Sequence, residues 1–224
     1  MEKPGFHEAQ RKQVSLLAPL EKKTLIWLAE HAPPWVTSDQ LTLLGFAAML
    51  LAGLSYWWAR WEPRALLLVI VLLAVNWLGD SLDGTLARVR NRQRPRYGFY
   101  VDHVVDMFSS LFLLAGLALS GYISPWVAAG LLVAFYMLSI ELYLATYTLG
   151  SFQLSQFKFS PTEIRILLAI GNLYIFFRPE VTLFGQRYLL FDVGGVIGIA
   201  GMLFIVLYAT VVHTRALYNA EPLA

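Results

Sequence analysis

The sequence predicts an all-α integral membrane protein, in which six transmembrane helices follow an N-terminal amphipathic helix that lies in the membrane interface. Of its 224 residues, 58% are hydrophobic and only 14% are charged, which is far from the balance of a soluble globular domain. Six segments are apolar over roughly the 20 residues that a helix needs to cross a bilayer. The chain has no cysteine, so disulfides and thiolate zinc sites are excluded.

The expected elements follow one another without a repeat or a long linker, so we expect a single membrane domain over residues 1–224. Residues 13–31, QVSLLAPLEKKTLIWLAEH, are too charged to cross a bilayer, and their leucines alternate with Glu21, Lys22 and Lys23. Such a segment is typical of a helix that lies in the interface. The six expected spans lie near residues 41–59, 65–87, 102–122, 126–149, 161–178 and 190–213.

The placement of basic residues predicts the orientation. With six spans, both termini lie on one side, and this side carries most of the 17 Lys and Arg residues, including an arginine-rich loop after the second span. Because cytoplasmic loops are enriched in Lys and Arg, we expect both termini and this loop to be cytoplasmic, at the inner membrane if the protein is bacterial. The net charge of +2 is too small to indicate a nucleic-acid partner.

The adjoining ends of the second and third spans carry four aspartates, in the stretch DSLDGTLARVRNRQRPRYGFYVDHVVD. These are Asp80, Asp83, Asp102 and Asp106. A spacing of three residues in the first pair and four in the second puts each pair on one helix face, and a loop at 89–97 can bring the two faces together. A carboxylate at the centre of a span costs about 2.5–3.5 kcal/mol to insert, so intramembrane carboxylates usually mark a functional path.

Four carboxylates in a small volume repel one another, and one or two divalent cations would relieve that repulsion. Ligation by oxygen alone suits Mg²⁺, Mn²⁺ or Ca²⁺ and argues against Zn²⁺. Nearby, Gly84, Ala87 and Gly98 leave space beside the helix backbone, and Arg88 offers a planar fork suited to phosphate. The group predicts a metal-assisted diphosphate site, where a base activates a hydroxyl for displacement at phosphorus.

This stretch resembles the signature of the CDP-alcohol phosphotransferase family, D-x-x-D-G-x-x-A-R, then eight or nine residues, then G-x-x-x-D-x-x-x-D. Every fixed position is present: Asp80, Asp83, Gly84, Ala87, Arg88, Gly98, Asp102 and Asp106. The expected spans and interfacial helix also fit the family, so the resemblance covers most of the chain. It implies an enzyme that moves a phospho-alcohol from a CDP-linked donor to an acceptor hydroxyl and releases CMP.

The resemblance also implies roles for individual residues. The four aspartates would bind two divalent ions, usually Mg²⁺ or Mn²⁺. Asp80, Gly84 and Arg88 would contact the CDP moiety, and Asp106 would be the catalytic base. Family members are commonly homodimers, so a second copy of the chain is an expected partner beside the membrane lipids.

Family members use either a soluble CDP-alcohol with a lipid acceptor or CDP-diacylglycerol with a soluble acceptor. Three stretches are similar to the first kind, the choline and ethanolamine phosphotransferases. His103 follows Asp102 as in their D-H-x-x-D pattern, where the histidine is the assigned proton acceptor. YTLG with SPTE (147–150 and 160–163) and TSDQLTLLG (37–45) also match in part. These stretches favour CDP-choline or CDP-ethanolamine as donor and diacylglycerol as acceptor.

Several departures from that branch keep alternatives open. Ser38 and Asp39 stand where it has Pro and Asn, and Ser160 replaces Gly. The alternative is therefore a CDP-diacylglycerol-dependent transferase whose acceptor is glycerol phosphate, inositol phosphate or serine. His103 could equally be a packing residue.

Two rival functions use similar residues. An intramembrane prenyltransferase also pairs aspartates with Mg²⁺, but lacks the G-x-x-A-R insert. A cation transporter could use an acidic pathway, but its carboxylates should lie near the bilayer midplane. Here the carboxylates lie toward one side, beside an arginine-rich loop that suits an anionic nucleotide.

Overall fold

The computed structural model describes residues 18–149 and 161–221, which form seven helices and one β-hairpin. In chain order these elements are α1 (Ala18–His31), α2 (Ser38–Ala59), α3 (Ala65–Val89), α4 (Pro95–Ser120), α5 (Pro125–Leu149), α6 (Pro161–Phe177), β1 (Glu180–Leu183), β2 (Gln186–Leu189) and α7 (Leu190–Ala220). Among the described residues, five helices are long and apolar enough to cross a membrane, namely α2, α3, α4, α5 and α7. The predicted all-α membrane class is confirmed.

The sixth expected span corresponds to α6. This helix has 17 residues, which gives a length of about 25 Å, short of the hydrocarbon thickness of about 30 Å. Its crossing of the membrane therefore stays a prediction. The expected interfacial helix at 13–31 corresponds to α1, which is described from Ala18 onward; residues 13–17 lie outside the described residues.

Two helices begin earlier than the sequence analysis placed them. The helix that contains the expected third span, α4, begins at Pro95 rather than near 102, because the fixed φ of proline suits a first helical turn. The expected loop at 89–97 is correspondingly shorter, and Gly98 donates its N–H to the Arg94 carbonyl at 2.8 Å. Helix α2 begins at Ser38 rather than near 41, because Thr37 and Gln40 form a reciprocal capping box there. The whole signature stretch except a short turn is therefore helical.

Glycines allow α2 to pack closely against α3 on one side and α4 on the other. A Cβ added to Gly79 would lie 2.6 Å from the Leu41 carbonyl oxygen and 2.7 Å from the Gly45 nitrogen. A Cβ added to Gly116 would lie 1.9 Å from the Gly53 carbonyl oxygen. Small residues let membrane helices approach in this way, and the approach at Gly79 lies one residue before Asp80.

Helix α1 packs on the end of α3 that carries the first aspartate pair. Its buried Leu25 and Ala29 contact Leu82 and Leu86 of α3. The turn after α1 is held by Arg90, whose guanidinium donates to the carbonyls of Ala32, Pro33 and Val36.

The Glu21 carboxylate of α1 ties three helices together. Its Oε1 accepts hydrogen bonds from Trp77 Nε1 on α3 at 2.8 Å and from Thr162 Oγ1 on α6 at 2.9 Å. Ser81 Oγ lies 3.4 Å from the same oxygen. A residue expected only to mark a polar helix face therefore links α1 to the first turn of α6.

A hydrogen-bonded pair joins α5 to α7. Glu141 Oε1 lies 2.6 Å from Nδ1 of His213, and both side chains are partly buried. His213 was missed because the last span was expected to end at 213, whereas α7 continues to Ala220.

The hairpin between α6 and α7 was also missed. Its two strands are antiparallel, and the turn residues Phe184 and Gly185 both have positive φ. This conformation matches a two-residue hairpin turn, for which Asn-Gly is the usual signal. Phe184 in place of Asn removed that signal from the sequence.

We expect Gly116→Ala to destabilise the protein by about 1–3 kcal/mol, because the new methyl group would meet the α2 backbone rather than a flexible side chain. The measurement is the midpoint of unfolding in detergent. The matched control is Gly201→Ala in α7, where an added Cβ meets no described atom within 4 Å and helix propensity improves. Equal stability of the two variants would contradict the close α2–α4 crossing.

Candidate active site

A small cavity between α2, α3 and α4 brings three of the four aspartates together. Its lining comes from all three helices and comprises Thr42, Gly45, Phe46, Asn76, Asp80, Asp102, Val105, Asp106 and Ser109. Asp102 and Asp106 face it from one turn to the next of α4, as their i, i+4 spacing predicts. The convergence of the two carboxylate pairs that the sequence predicts is thus present for Asp80, Asp102 and Asp106.

The fourth aspartate, Asp83, is buried immediately beside this cavity. Its Oδ2 accepts a hydrogen bond from Thr42 Oγ1 at 2.6 Å, and Thr42 lines the cavity. The carboxylates of Asp80 and Asp102 are near enough to repel Asp83 electrostatically. Ser38, which stands where the choline and ethanolamine phosphotransferases have Pro, donates to the Asp83 carbonyl at 2.9 Å.

Arg165 near the start of α6 contacts this arrangement. Its Nη2 donates to Asp80 Oδ2 at 2.6 Å, and its Nε donates to Asn76 Oδ1 at 2.8 Å. Asn76 in turn donates to the Gly45 carbonyl at 3.0 Å. One guanidinium thus holds both the Asn76 amide and the Asp80 carboxylate.

The residues fit a divalent cation by their chemistry. Three carboxylates share a cavity with a fourth beside them, and carboxylate oxygens are the ligands that hard divalent cations prefer. Across 18–149 and 161–221, however, no three acidic or histidine side chains already have the spacing of metal ligands. The aspartates are thus close together without being preset in a ligand geometry.

Arg88 and Gly84 lie on α3 next to this cluster. Arg88 is exposed, its Nη2 donates to Thr85 Oγ1 at 3.1 Å, and a Cβ added to Gly84 would lie 3.5 Å from its Nη1. The guanidinium thus lies along the face of α3 on which Gly84 has no side chain. On α4, an added Cβ at Gly98 would meet no described atom within 4 Å, so the helix surface there is open.

The structure places Asp106, and not His103, at the cavity. The Nδ1 of His103 lies 2.5 Å from the Phe99 carbonyl oxygen, to which it can donate only when it carries the proton. The imidazole packs against the rings of Phe99 and Tyr143, with centroids 4.1 and 4.6 Å away. His103 therefore occupies a packing position on α4.

An arginine at the turn between α3 and α4 is held by two neighbouring side chains. Arg94 forms an ion pair with Asp39, and its guanidinium stacks 4.1 Å from the Tyr97 ring. The hydrogen bond to Asp39 raises the pKa of Arg94. Asp39, which stands where the choline and ethanolamine phosphotransferases carry Asn, is thus paired with Arg94. The other partial match, YTLG with SPTE, includes Gly150 and Ser160, which lie outside the described residues.

Comparison with known proteins identifies several relatives. The archaetidylinositol phosphate synthase of Pyrococcus horikoshii is 33% identical over 123 residues, covering 54% of this chain and 59% of the relative. Cholinephosphotransferase 1 of Bos taurus is 29% identical over 173 residues, covering 73% and 42%. The bifunctional IPC transferase and DIPP synthase of Aquifex aeolicus is 29% identical over 183 residues, covering 80% and 40%.

The chain spans about half the length of the curated relatives it matches. The family model of the CDP-alcohol phosphatidyltransferases matches residues 35–214, which include the whole signature stretch and the helices that form the cavity. The chain therefore belongs to the CDP-alcohol phosphatidyltransferase family.

Proposed function

We propose that this protein transfers a phospho-alcohol from a CDP-linked donor to the hydroxyl of an acceptor, with release of CMP. The observation that carries the proposal is the shared cavity of Asp80, Asp102 and Asp106, with Asp83 buried beside it. Membership of the family supports the same reaction class.

The four aspartates would hold two divalent cations, Mg²⁺ or Mn²⁺, which when bound neutralise the diphosphate oxygens of the donor. Gly84 leaves room for the donor to approach α3, and Arg88 pairs its planar fork with a phosphate of the CDP moiety. Asp106 accepts the proton of the acceptor hydroxyl. The acceptor oxygen then bonds to the β-phosphorus, and CMP leaves with the electron pair of the broken P–O bond.

Arg165 and Asn76 act through Asp80. The fork from Nε and Nη2 of Arg165 holds Asn76 and Asp80 in one orientation, and such supporting hydrogen bonds fix the ligands of metal sites. Arg165 is therefore a positioning residue whose side chain also offsets the charge of Asp80.

The donor we favour is CDP-choline or CDP-ethanolamine, with diacylglycerol as acceptor. Partial matches at His103 and residues 160–163 support it, and one relative is named a cholinephosphotransferase. Another relative is named for archaetidylinositol phosphate, which supports the alternative of a CDP-diacylglycerol-type donor with a polar acceptor. His103 remains the alternative base to Asp106, although its present position is against Phe99 and Tyr143.

We infer a single membrane domain over residues 1–224, acting as a homodimer, with α6 as the sixth span. The excess of Lys and Arg on one side supports cytoplasmic termini and a cytoplasmic opening of the site. The packing of α1 on the aspartate-bearing end of α3 agrees with an interfacial helix on that side.

The reaction is tested by CMP release from the detergent-purified protein. We expect CMP only with Mg²⁺ or Mn²⁺, with loss of turnover on chelation and recovery when the metal is restored. CDP-choline, CDP-ethanolamine and CDP-diacylglycerol are run in parallel with their acceptors. Turnover only with CDP-diacylglycerol would overturn the preferred donor, whereas ion flux without CMP release would favour a cation transporter.

Replacement of the aspartates tests their role. We expect Asp80→Ala and Asp102→Ala each to abolish metal-dependent turnover, because each removes a charged ligand from the shared cavity. The elution profile in detergent should stay that of the wild-type protein. Glu62→Gln, which neutralises a partly exposed carboxylate on the loop between α2 and α3, is the control. Full activity in either aspartate variant would refute the metal assignment.

Arg165 offers a separate test of positioning. We expect Arg165→Ala to lower turnover about 10–100-fold, as removal of groups that orient metal ligands does. Arg165→Lys should fall nearly as far, because an ammonium cannot reproduce the planar fork to Asn76 and Asp80. If lysine restores activity, the charge of Arg165 matters and its geometry does not. Arg187→Ala on the exposed hairpin serves as the control.

A further inference from the structure

The cavity contains a buried hydroxyl that no described residue satisfies. Ser109 on α4 lines the cavity and is only 5% exposed, and its Oγ has no hydrogen-bond partner within the described part of the chain. Serines in membrane helices usually donate to a carbonyl one turn earlier. Ser110 and Ser139 do so here, to Met107 and Phe135. Because an unsatisfied buried hydroxyl is costly, Ser109 is a candidate for contact with a substrate.

The position of Ser109 indicates which part of a substrate it could meet. Asp102, Asp106 and Ser109 follow one another at i, i+4 and i+7, so they line one face of α4. Ser109 lies about 4.5 Å further along the helix axis than Asp106, toward the middle of the span. The lining beside it includes Phe46 and Val105. The cavity therefore combines three carboxylates with two apolar side chains and the Ser109 hydroxyl.

The surroundings of Ser109 suit a neutral group. The guanidinium of Arg165 is already bonded to Asp80 and Asn76, and the carboxylates would repel an anion. An alcohol hydroxyl can both donate to and accept from a serine hydroxyl, and it loses far less hydration than a charged group on entering such a site.

We propose that Ser109 Oγ hydrogen-bonds the attacking hydroxyl of a lipid alcohol that enters from the membrane, and so directs this hydroxyl toward Asp106. This inference rests on the proposed function. The acceptor gives its proton to Asp106, its oxygen bonds to the β-phosphorus, and CMP leaves with the electron pair of the broken bond. Ser109 keeps its own proton and binds the acceptor throughout.

The test compares Ser109→Ala with wild-type protein in mixed micelles, using CDP-choline and 1,2-dioleoylglycerol. We expect the KM for dioleoylglycerol to rise about fivefold to tenfold, the effect of losing one hydrogen bond. The KM for CDP-choline and the metal concentration for half-maximal turnover should stay within about twofold of wild type, since Ser109 would contact only the acceptor. Ser109→Thr, which keeps a hydroxyl, should recover part of the loss, and Ser110→Ala should behave as wild type.

A second readout does not depend on turnover. Binding of a fluorescent diacylglycerol to donor-free protein should be weaker for Ser109→Ala than for Ser110→Ala. Equal binding by the two variants, or an equal rise of both KM values, would overturn the inference, because the hydroxyl would then serve the fold or a bound water. Wild-type turnover only with CDP-diacylglycerol and a soluble acceptor would overturn the lipid acceptor while leaving the reaction class intact. Absence of CMP from every donor would instead refute the proposed function, and the binding comparison would still decide the role of Ser109.

Discussion

The site depends on direct backbone contact between helices. Gly45 of α2 faces Gly79 of α3 with no side chain between them, and the residues next to this contact form the cavity. Gly45 itself lines the cavity, and Gly79 immediately precedes Asp80. A larger residue at Gly79 would meet the α2 backbone, separate α2 from α3 and so displace the neighbouring Asp80. The packing of α2 on α3 and the position of Asp80 therefore depend on the same backbone contact.

The electrostatic repulsion among the four aspartates is the second constraint on the site. The carboxylates stand in a partly desolvated space, where their mutual repulsion is stronger than in water. The described structure offsets it locally, through Arg165 at Asp80 and through the Thr42 hydroxyl at Asp83. Hydrogen bonds from neighbouring helices thus orient Asp80 and Asp83 beside the other two carboxylates.

Much of the site could be predicted from the sequence, because Asp80, Asp83, Asp102 and Asp106 lie within two helices and their spacing decides which face they share. Ser109 continues the same periodicity from Asp102 and could have been found in this way. The contact of Arg165 with Asp80 could not, since these residues are 85 positions apart and only the tertiary packing of α6 brings them together.

Helix boundaries were harder to predict than helix faces. The polar run before Gly98 predicts a loop, although Pro95 is well suited to begin a helix. The β-hairpin carries Phe184-Gly185 at its turn, where the usual signal is Asn-Gly. At the start of α4 and at the hairpin turn, a local backbone preference determines the secondary structure. Hydrophobic patterning carries no information about that preference.

The hydrogen bonds of Glu21 have a consequence for the order of assembly during synthesis. Helix α1 leaves the ribosome before the other described helices, yet Trp77 and Thr162 follow Glu21 by 56 and 141 positions. Since chains are made from the N-terminus onward, Glu21 can bind α6 only after most of the chain has been translated. The same first turn of α6 supplies Arg165 to Asp80. This edge of the site is therefore among the last parts of the fold to be completed on a nascent chain.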